Sequence, residues 1–260
     1  MKKSALSAAL FAACGLLFTA SSFAADQPGT KADASWHKPT GPTFHDVAQA
    51  FSSKAYLPPP PKKGDPLFAL DIAEYKAGYA LKGTARWKLA TSDSDMSTPN
   101  VAHIFSKPFG VTISAQTTPA LYRILDYLNV DSGDYAPETA KKFYMRERPF
   151  VYFKHHTCQP IADESFLRTN GSYPSGHTAY ATTIALILAQ LRPDRGDELF
   201  KRAWTYGQSR VICGAHWQSD VNAGRIVGAV EYSRLQSLPA FRKALKQAQE
   251  EVDNQLKTHH

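Results

Sequence analysis

Three short clusters carry residue types that could do chemistry. In the first, Lys141 and Arg148 lie seven positions apart. On a helix that spacing is about 20° short of two full turns, so both side chains would face one way. In the second, Gly171-Ser172-Tyr173-Pro174-Ser175-Gly176-His177-Thr178 joins sharply turning backbone to small hydroxyls and an imidazole. It runs into residues 179–191, the most apolar helix-like stretch beyond the N-terminal region. A turn that opens into a helix aims its amide N–H groups at one point where the helix dipole is positive, which suits an anion and phosphate above all. In the third, Ser209-Arg210 precedes His216 and Asp220. At i and i+4 a carboxylate can reach an imidazole across one helical turn, fix its tautomer and make its other nitrogen more nucleophilic. Each cluster alone has a plainer explanation: a solvated basic face, a locally hydrogen-bonded loop, a structural His–Asp pair. Together they describe an anion cradle equipped with a nucleophile and an acid.

The elements that must position these clusters read as helices. Asp65-Pro66, Thr98-Pro99 and Thr118-Pro119 look like helix starts, because proline at the first helical position sacrifices only an amide that has no intrahelical partner. Apolar residues recur at helical spacing from Leu67 to Leu89, and along one face at Leu121, Ile124, Leu125 and Leu128. A short amphipathic stretch with Phe44, Val47 and Phe51 is stopped by Pro58-Pro59-Pro60-Pro61, an extended polyproline run. Asp131-Ser132-Gly133-Asp134 is expected to break the helix before it, and Pro137 to open the next, through Lys141 to about Glu147. Residues 150–173 read as irregular and aromatic. After the buried helix come a turn at Arg192-Pro193-Asp194, a helix from Asp197 to Arg210, and a break at Gly214. The next helix runs from Asp220 to Ser233, where Gly224, Gly228 and Ala229 permit close packing. A charged amphipathic helix begins at Leu238-Pro239 and runs to about Leu256. Strand alternation and internal repeats are absent. The expectation is an all-α protein with one helical domain over residues 43–260.

At 43% hydrophobic and 12% aromatic, the 260 residues can bury a sizeable core. Lys2-Lys3, an apolar run from Ala5 to Ala20 and then Ser22-Phe23-Ala24 fit a signal peptide over residues 1–24, cleaved between Ala24 and Ala25. A membrane anchor fits less well because the apolar run is short, and lipidation at Cys14 fits less well because Phe11 is a poor lead residue for it and the later cleavage site is better. Residues 25–42, rich in Pro, Gly, Thr and Lys, read as a flexible leader. The formal charge is +7, of which Lys2 and Lys3 supply two, and no basic stripe of the kind that binds nucleic acid is present. Export leaves two cysteines, Cys158 and Cys213, in an oxidising compartment. One disulfide is the expectation and two buried free thiols the alternative. No cysteine or histidine spacing suggests a metal site, and no cofactor is expected.

In order, the chain presents Lys141 and Arg148-Pro149, then Pro174-Ser175-Gly176-His177, then Ser209-Arg210, His216 and Asp220. This resembles the three-part signature of the type 2 phosphatidic acid phosphatase superfamily. The full string Gly171–Thr178, with Tyr144–Phe150, Gly207–Gly214 and His216–Val221, is similar to the bacterial class A non-specific acid phosphatases. The resemblance covers roughly residues 55–255. It implies a helical bundle of the acid phosphatase/vanadium haloperoxidase type that hydrolyses a broad range of phosphate monoesters, such as nucleotides, sugar phosphates and aryl phosphates. His216 is implied as nucleophile, Asp220 as its orienter and His177 as acid and then base. Lys141, Arg148, Ser175, Gly176 and Arg210 are implied as phosphate holders. Phosphoryl transfer needs positioning and neutralisation of spread negative charge, which three cations and a helix N-terminus supply without a metal. The resemblance also implies a periplasmic or secreted enzyme, possible homo-oligomers and an acid optimum if His177 starts protonated. Glu147 departs from the expected basic surroundings; it either tunes substrate charge or points away. His155-His156, lying between the first two clusters, comes nearest to a further role among the remaining histidines, His37, His45, His103, His259 and His260.

Rival readings keep the site and change its use. They are apyrase-like hydrolysis of nucleoside di- and triphosphates, phosphotransfer to an alcohol, a lipid phosphatase, a vanadate-dependent haloperoxidase, and phosphate binding without turnover. A lipid phosphatase would call for membrane helices, and simple binding needs no nucleophile and acid.

Overall fold

The apolar helix that follows the Pro-Ser-Gly-His turn is the centre of the molecule. In a computed structural model that describes residues 41–45 and 51–258, this helix, α9 (Gly176–Leu191), has Ala179, Tyr180, Ile184, Ala185, Ile187 and Leu188 inaccessible to solvent. The others, in chain order, are α1 (Ser53–Tyr56), α2 (Pro66–Tyr79), α3 (Ala85–Ser92), α4 (Thr98–Phe109), α5 (Pro119–Leu128), α6 (Ala136–Tyr144), α7 (Pro149–Tyr152) and α8 (Ile161–Thr169), and after α9 come α10 (Gly196–Ile212), α11 (Gln218–Leu235) and α12 (Pro239–Thr258). No strand is present among the described residues, so the protein is all-α. The expected signal peptide, most of the expected leader, Val47, His37, His259 and His260 lie outside the described residues. No described helix is long and apolar enough to cross a membrane.

α10 and α11 flank α9 and make its most extensive contacts. The α9–α11 approach is close because of glycine: a Cβ at Gly224 would sit 2.6 Å from the Ser175 carbonyl oxygen, and one at Gly228 would lie 2.5 Å from that of Ala179. α5 and α12 close the other side of the core. Leu121, Ile124, Leu125 and Leu128 of α5 pack in one cluster with Phe241, Ala248 and Val252 of α12. Each fully buried Leu, Ile or Phe contributes roughly 1.5–3 kcal/mol of hydrophobic transfer.

Four sequence expectations are corrected. The periodic run from Leu67 to Leu89 is two helices. Gly83, at φ +86°, takes a left-handed turn, and Thr84 starts α3 by accepting the Trp87 N–H on its side chain. Leu67 and Leu70 on α2 are exposed. Asp131-Ser132-Gly133-Asp134 does not break the chain: residues Asn129–Tyr135 form one wide π-helical turn that carries α5 into α6. The polar side chains that would have competed with the backbone are used in tertiary contacts instead. Asn129 donates to the Met96 carbonyl (2.8 Å), and Asp131 accepts from the Phe44 N–H (2.8 Å) and from Thr43. α6 ends at Tyr144, short of Glu147, because Met145 adopts φ 41°. Within 150–173 lie two helices, α7 and α8. The start of α8 was written as Pro160 followed by Asp163 and Glu164 in its first turn.

Candidate active site

The three clusters meet at the N-terminal end of α9, around a cavity of about 110 Å³. Lys141, Arg148, Gly176, His177, Arg210 and His216 line it, together with Asp134, Asn170, Met96, Phe166 and Leu167. Ser175 and Asp220 are fully buried just behind this wall.

Lys141 and Arg148 do come together, but not through helical spacing. Arg148 lies beyond α6, at the start of α7. The left-handed residue Met145 turns the chain, and both cations end on one acceptor: Lys141 Nζ donates to the Gly171 carbonyl at 2.9 Å and Arg148 Nη2 at 3.4 Å. Arg148 Nε also donates to the carbonyls of Leu167 and Asn170, and its Nη1 to that of Ala215. This guanidinium is therefore fixed by backbone on three sides. Burial lowers its pKa to about 9, with Arg210 adding to the fall and Asp220 opposing it. Lys141 is also pushed well down, by burial first and Arg148 next. Arg210 is fully buried and lowered to about 10 by burial. Its Nη2 donates to Gln159 Oε1 at 2.6 Å, while Nε and Nη1 have no protein acceptor. Buried donors without acceptors are costly and rare, and an anion in the adjoining cavity would supply what they lack.

His216 is not on a helix, contrary to the i, i+4 expectation. Asp220, near the start of α11, accepts the Trp217 N–H (2.9 Å), so the helix begins at Gln218 and leaves His216 in the preceding turn, where Gly214 takes φ +79°. The His–Asp pair still forms: His216 Nδ1 lies 3.5 Å from Asp220 Oδ2. On the other side of the ring, Arg148 Nη1 donates to Nε2 at 3.0 Å. A guanidinium only donates, so Nε2 presents its lone pair and the proton of the neutral ring sits on Nδ1, toward Asp220. Burial, then Arg148, Lys141 and Arg210, holds His216 well below the usual imidazole range. His177 has the complementary arrangement. Its Nε2 lies 3.0 Å from the Ser94 carbonyl, which only accepts. Nε2 therefore carries a proton, and Nδ1 is left to titrate. Burial, with Arg210 next, pushes this ring down as well.

The loop between these groups is held by backbone contacts. Ser175 caps α9, accepting the Thr178 N–H (3.3 Å), and its own N–H donates to the Asp220 carbonyl (3.0 Å). At Gly176 a Cβ would stand 2.2 Å from the Gly133 carbonyl oxygen. No residue but glycine fits there, and the π-helical turn is thereby locked against the floor of the cavity.

The comparisons with known proteins agree with this geometry. The PAP2 superfamily pattern matches residues 128–232, a span containing every cavity cation and both histidines. A non-specific acid phosphatase of Salmonella typhi is 54% identical over 211 residues, covering 81% of this chain and 84% of that protein. The chain belongs to the non-specific acid phosphatases of the PAP2 superfamily. The corresponding protein of Salmonella typhimurium is equally similar, and that of Providencia stuartii is 42% identical over 241 residues, 91% of this chain and 94% of its own. Acid phosphatase activity follows from this membership.

Several residues that frame this candidate site are not singled out from sequence. Arg146 is the foremost. It bridges two buried carboxylates, donating to Asp220 through Nη1 and to Asp71 through Nη2 (2.7 Å). Ser172 also donates to Asp220. Asp71 in turn accepts the N–H and the hydroxyl of Ser219 at 2.8 and 2.6 Å. Arg146 precedes Arg148 by two positions in the matched string, and alternation about an exposed Glu147 was the available signal. Glu147 points away from the cavity, and Trp217 Nε1 takes only its carbonyl (2.8 Å). Ser209 faces away too, bonding Asp93 at 2.6 Å. His155 stacks on Tyr79 and bonds the Tyr75 hydroxyl, and His156 pairs with Glu164, so neither enters the site. His45 is buried against Glu231 and Asp131.

Cys158 and Cys213 form the disulfide, with Cα atoms 4.7 Å apart. The bridge sets Gln159, the partner of Arg210, beside the turn that carries His216. A loop of this length is worth about 4 kcal/mol in the chain-entropy model. The double substitution Cys158→Ser, Cys213→Ser is expected to lose stability of that order in urea denaturation, and to raise KM through Arg210. An unchanged KM would disconnect the bridge from the site. Among the described residues, no group of three His, Cys, Asp or Glu side chains is disposed to hold a metal ion.

Proposed function

We propose that the chain is an exported acid phosphatase that hydrolyses small phosphate monoesters through a phosphohistidine on His216, without a metal ion. One observation carries this reading: His216, Lys141, Arg148 and Arg210 border one small cavity, with Arg148 Nη1 on His216 Nε2. A phosphoryl group placed there has three cations and the N-terminus of α9 around its non-bridging oxygens, with the Ser175 hydroxyl and the Gly176 amide as further donors. Charge stabilisation of that kind is what loose phosphoryl-transfer transition states require. As Arg148 Nη1 turns from Nε2 to a phosphate oxygen, the freed lone pair attacks phosphorus in line and the bond to the leaving oxygen breaks. His177 Nδ1 gives that oxygen its proton, then removes one from the water that cleaves the P–N bond. Asp220, beside Nδ1, offsets the charge His216 gains. Burial and then Arg210 hold the His177 pKa down, and a phosphate dianion beside it draws that pKa upward. Binding and protonation are thus coupled, which favours acid conditions. The apolar side chains of Met96, Phe166 and Leu167 at the cavity are compatible with varied leaving groups. Export is supported by the basic, apolar and small-residue sequence at the N-terminus and by the disulfide.

The test is an acid-quench experiment with a radiolabelled phosphomonoester on the wild-type protein. The expected label is lost in acid and stable in base, as a phosphoramidate is. An acid-stable, base-labile label would assign the covalent step to a hydroxyl and overturn the reading. Turnover in excess EDTA is expected to match turnover without it; a loss restored by a divalent metal would refute the metal-free mechanism.

A further inference from the structure

One group at the cavity has no part in the mechanism above. Asp134, in the π-helical turn, borders the cavity alongside Lys141, Arg148, His177, Arg210 and His216. The preceding residue, Gly133, packs its carbonyl against Gly176 so closely that a Cβ there would stand 2.2 Å from the oxygen, which sets the turn directly against the floor of the cavity. A carboxyl group in a phosphate cradle is a paradox of charge: ionised, it opposes the anion the cradle is built to hold. Protonated, it is neutral and has a hydrogen to donate to a phosphate oxygen.

We infer that Asp134 is a charge gate on substrate binding, admitting phosphate when its carboxyl carries a proton and opposing phosphate when it does not. The inference rests on the phosphate reading of the cavity. The surroundings favour a gate that works in mildly acidic solution. Burial raises the Asp134 pKa to about 6, against the pull of Lys141 and with a further push from Glu138, both on α6. From α9 the facing group is His177, from α10 Arg210, and from the intervening segments Arg148 and His216. On the adjoining α5 and α11, Asp126 is bonded by Thr98 and Glu231 by His45, while Asp220 is engaged by Arg146 behind His216. The sign follows directly. At pH 5 the carboxyl is mostly neutral and phosphate binding carries no penalty from it. At pH 8 it is ionised, and binding requires either a like charge beside the phosphate or uptake of a proton. His177 also couples its protonation to phosphate binding, but it is the same in wild type and an Asp134 variant, so a comparison of the two isolates the gate.

The experiment is calorimetric binding of inorganic phosphate to the full chain, wild type and Asp134→Asn, at pH 5 and pH 8. The ionisation of phosphate itself is common to both proteins and cancels in the ratio of their dissociation constants. That ratio is expected to be near one at pH 5, with the variant at least about ten-fold tighter at pH 8, as one unfavourable charge interaction of this kind implies. Asp134→Glu, which keeps the charge, is expected to retain the wild-type loss of affinity, and it stands in if the amide variant does not fold. A ratio that does not change with pH overturns the gate. Weaker binding by Asp134→Asn at pH 8 overturns it too, since the carboxylate would then be sustaining the charge on Lys141. Failure of the wild type to bind phosphate at pH 5 would sink the phosphate reading of the site itself, an outcome distinct from either.

Discussion

His216→Ala is expected to lower kcat by on the order of 10⁴-fold or more and to leave no trappable phosphoenzyme. The magnitude follows from removing a covalent nucleophile whose partners then act on nothing; residues that work as a unit lose nearly all their joint effect when one is deleted. The structure supports a specific form of the result. Arg148, Lys141 and Arg210 are held by backbone carbonyls and Gln159 rather than by the imidazole alone, so the cradle should survive the truncation. Phosphate should therefore still bind, within a few-fold of wild type, while turnover collapses. Label persisting in His216→Ala would refute the assignment of the nucleophile. A parallel loss of phosphate affinity would show that the ring also supports the cradle.

The second large effect is expected at Arg146. Its side chain is about nine-tenths buried between Asp71 and Asp220, which are almost wholly so. Burial alone would lower its pKa, but Asp220 and Asp71 overcome that and hold it above the ordinary value. Arg146→Met removes the charge and leaves two carboxylates buried without their cation, a change that costs about 3–5 kcal/mol in comparable sites. Urea denaturation near neutral pH should show a loss of that size. Protonation of the orphaned carboxylates should recover part of it as pH falls, because an unpaired buried carboxylate takes up a proton more readily. Activity should fall as well, since Asp220 would no longer be a fixed anion at the edge of His216. Arg146→Lys, which retains charge but not the two-pronged bridge, is expected to lie between. A stability within 1 kcal/mol of wild type for the methionine variant would mean that the bridge contributes no net stabilisation.

The legibility of this molecule in its sequence depended on whether a residue acts locally. Thr98-Pro99 and Thr118-Pro119 announce helices because proline at a helix start is a local preference, and α4 and α5 begin there. The buried α9 was plain from its composition. The π-helical turn is not: Asp131-Ser132-Gly133-Asp134 reads as a break, and only distant partners, Thr43 and Phe44 for Asp131 and Met96 for the neighbouring Asn129, tie the segment in place. The same holds at the site. Lys141 and Arg148 do converge, but through a chain reversal at Met145 and not on one helical face. Arg146 stayed hidden because one of its two carboxylates, Asp71, is 75 positions away in sequence. Asp134 was read as part of a break, when its importance lies in facing the cavity from a turn that never breaks.

The contact at Gly176 has a consequence for how this family should be read by mutation. Backbone meets backbone there, at a distance no side chain can share. In a saturation scan scored by growth on a phosphate ester, every substitution at Gly176 should register as null, alongside those at His216. The two columns would look alike, one because chemistry is lost and the other because two pieces of main chain can no longer meet. Intolerance alone cannot sort catalysts from scaffolding here; abundance measured beside activity can.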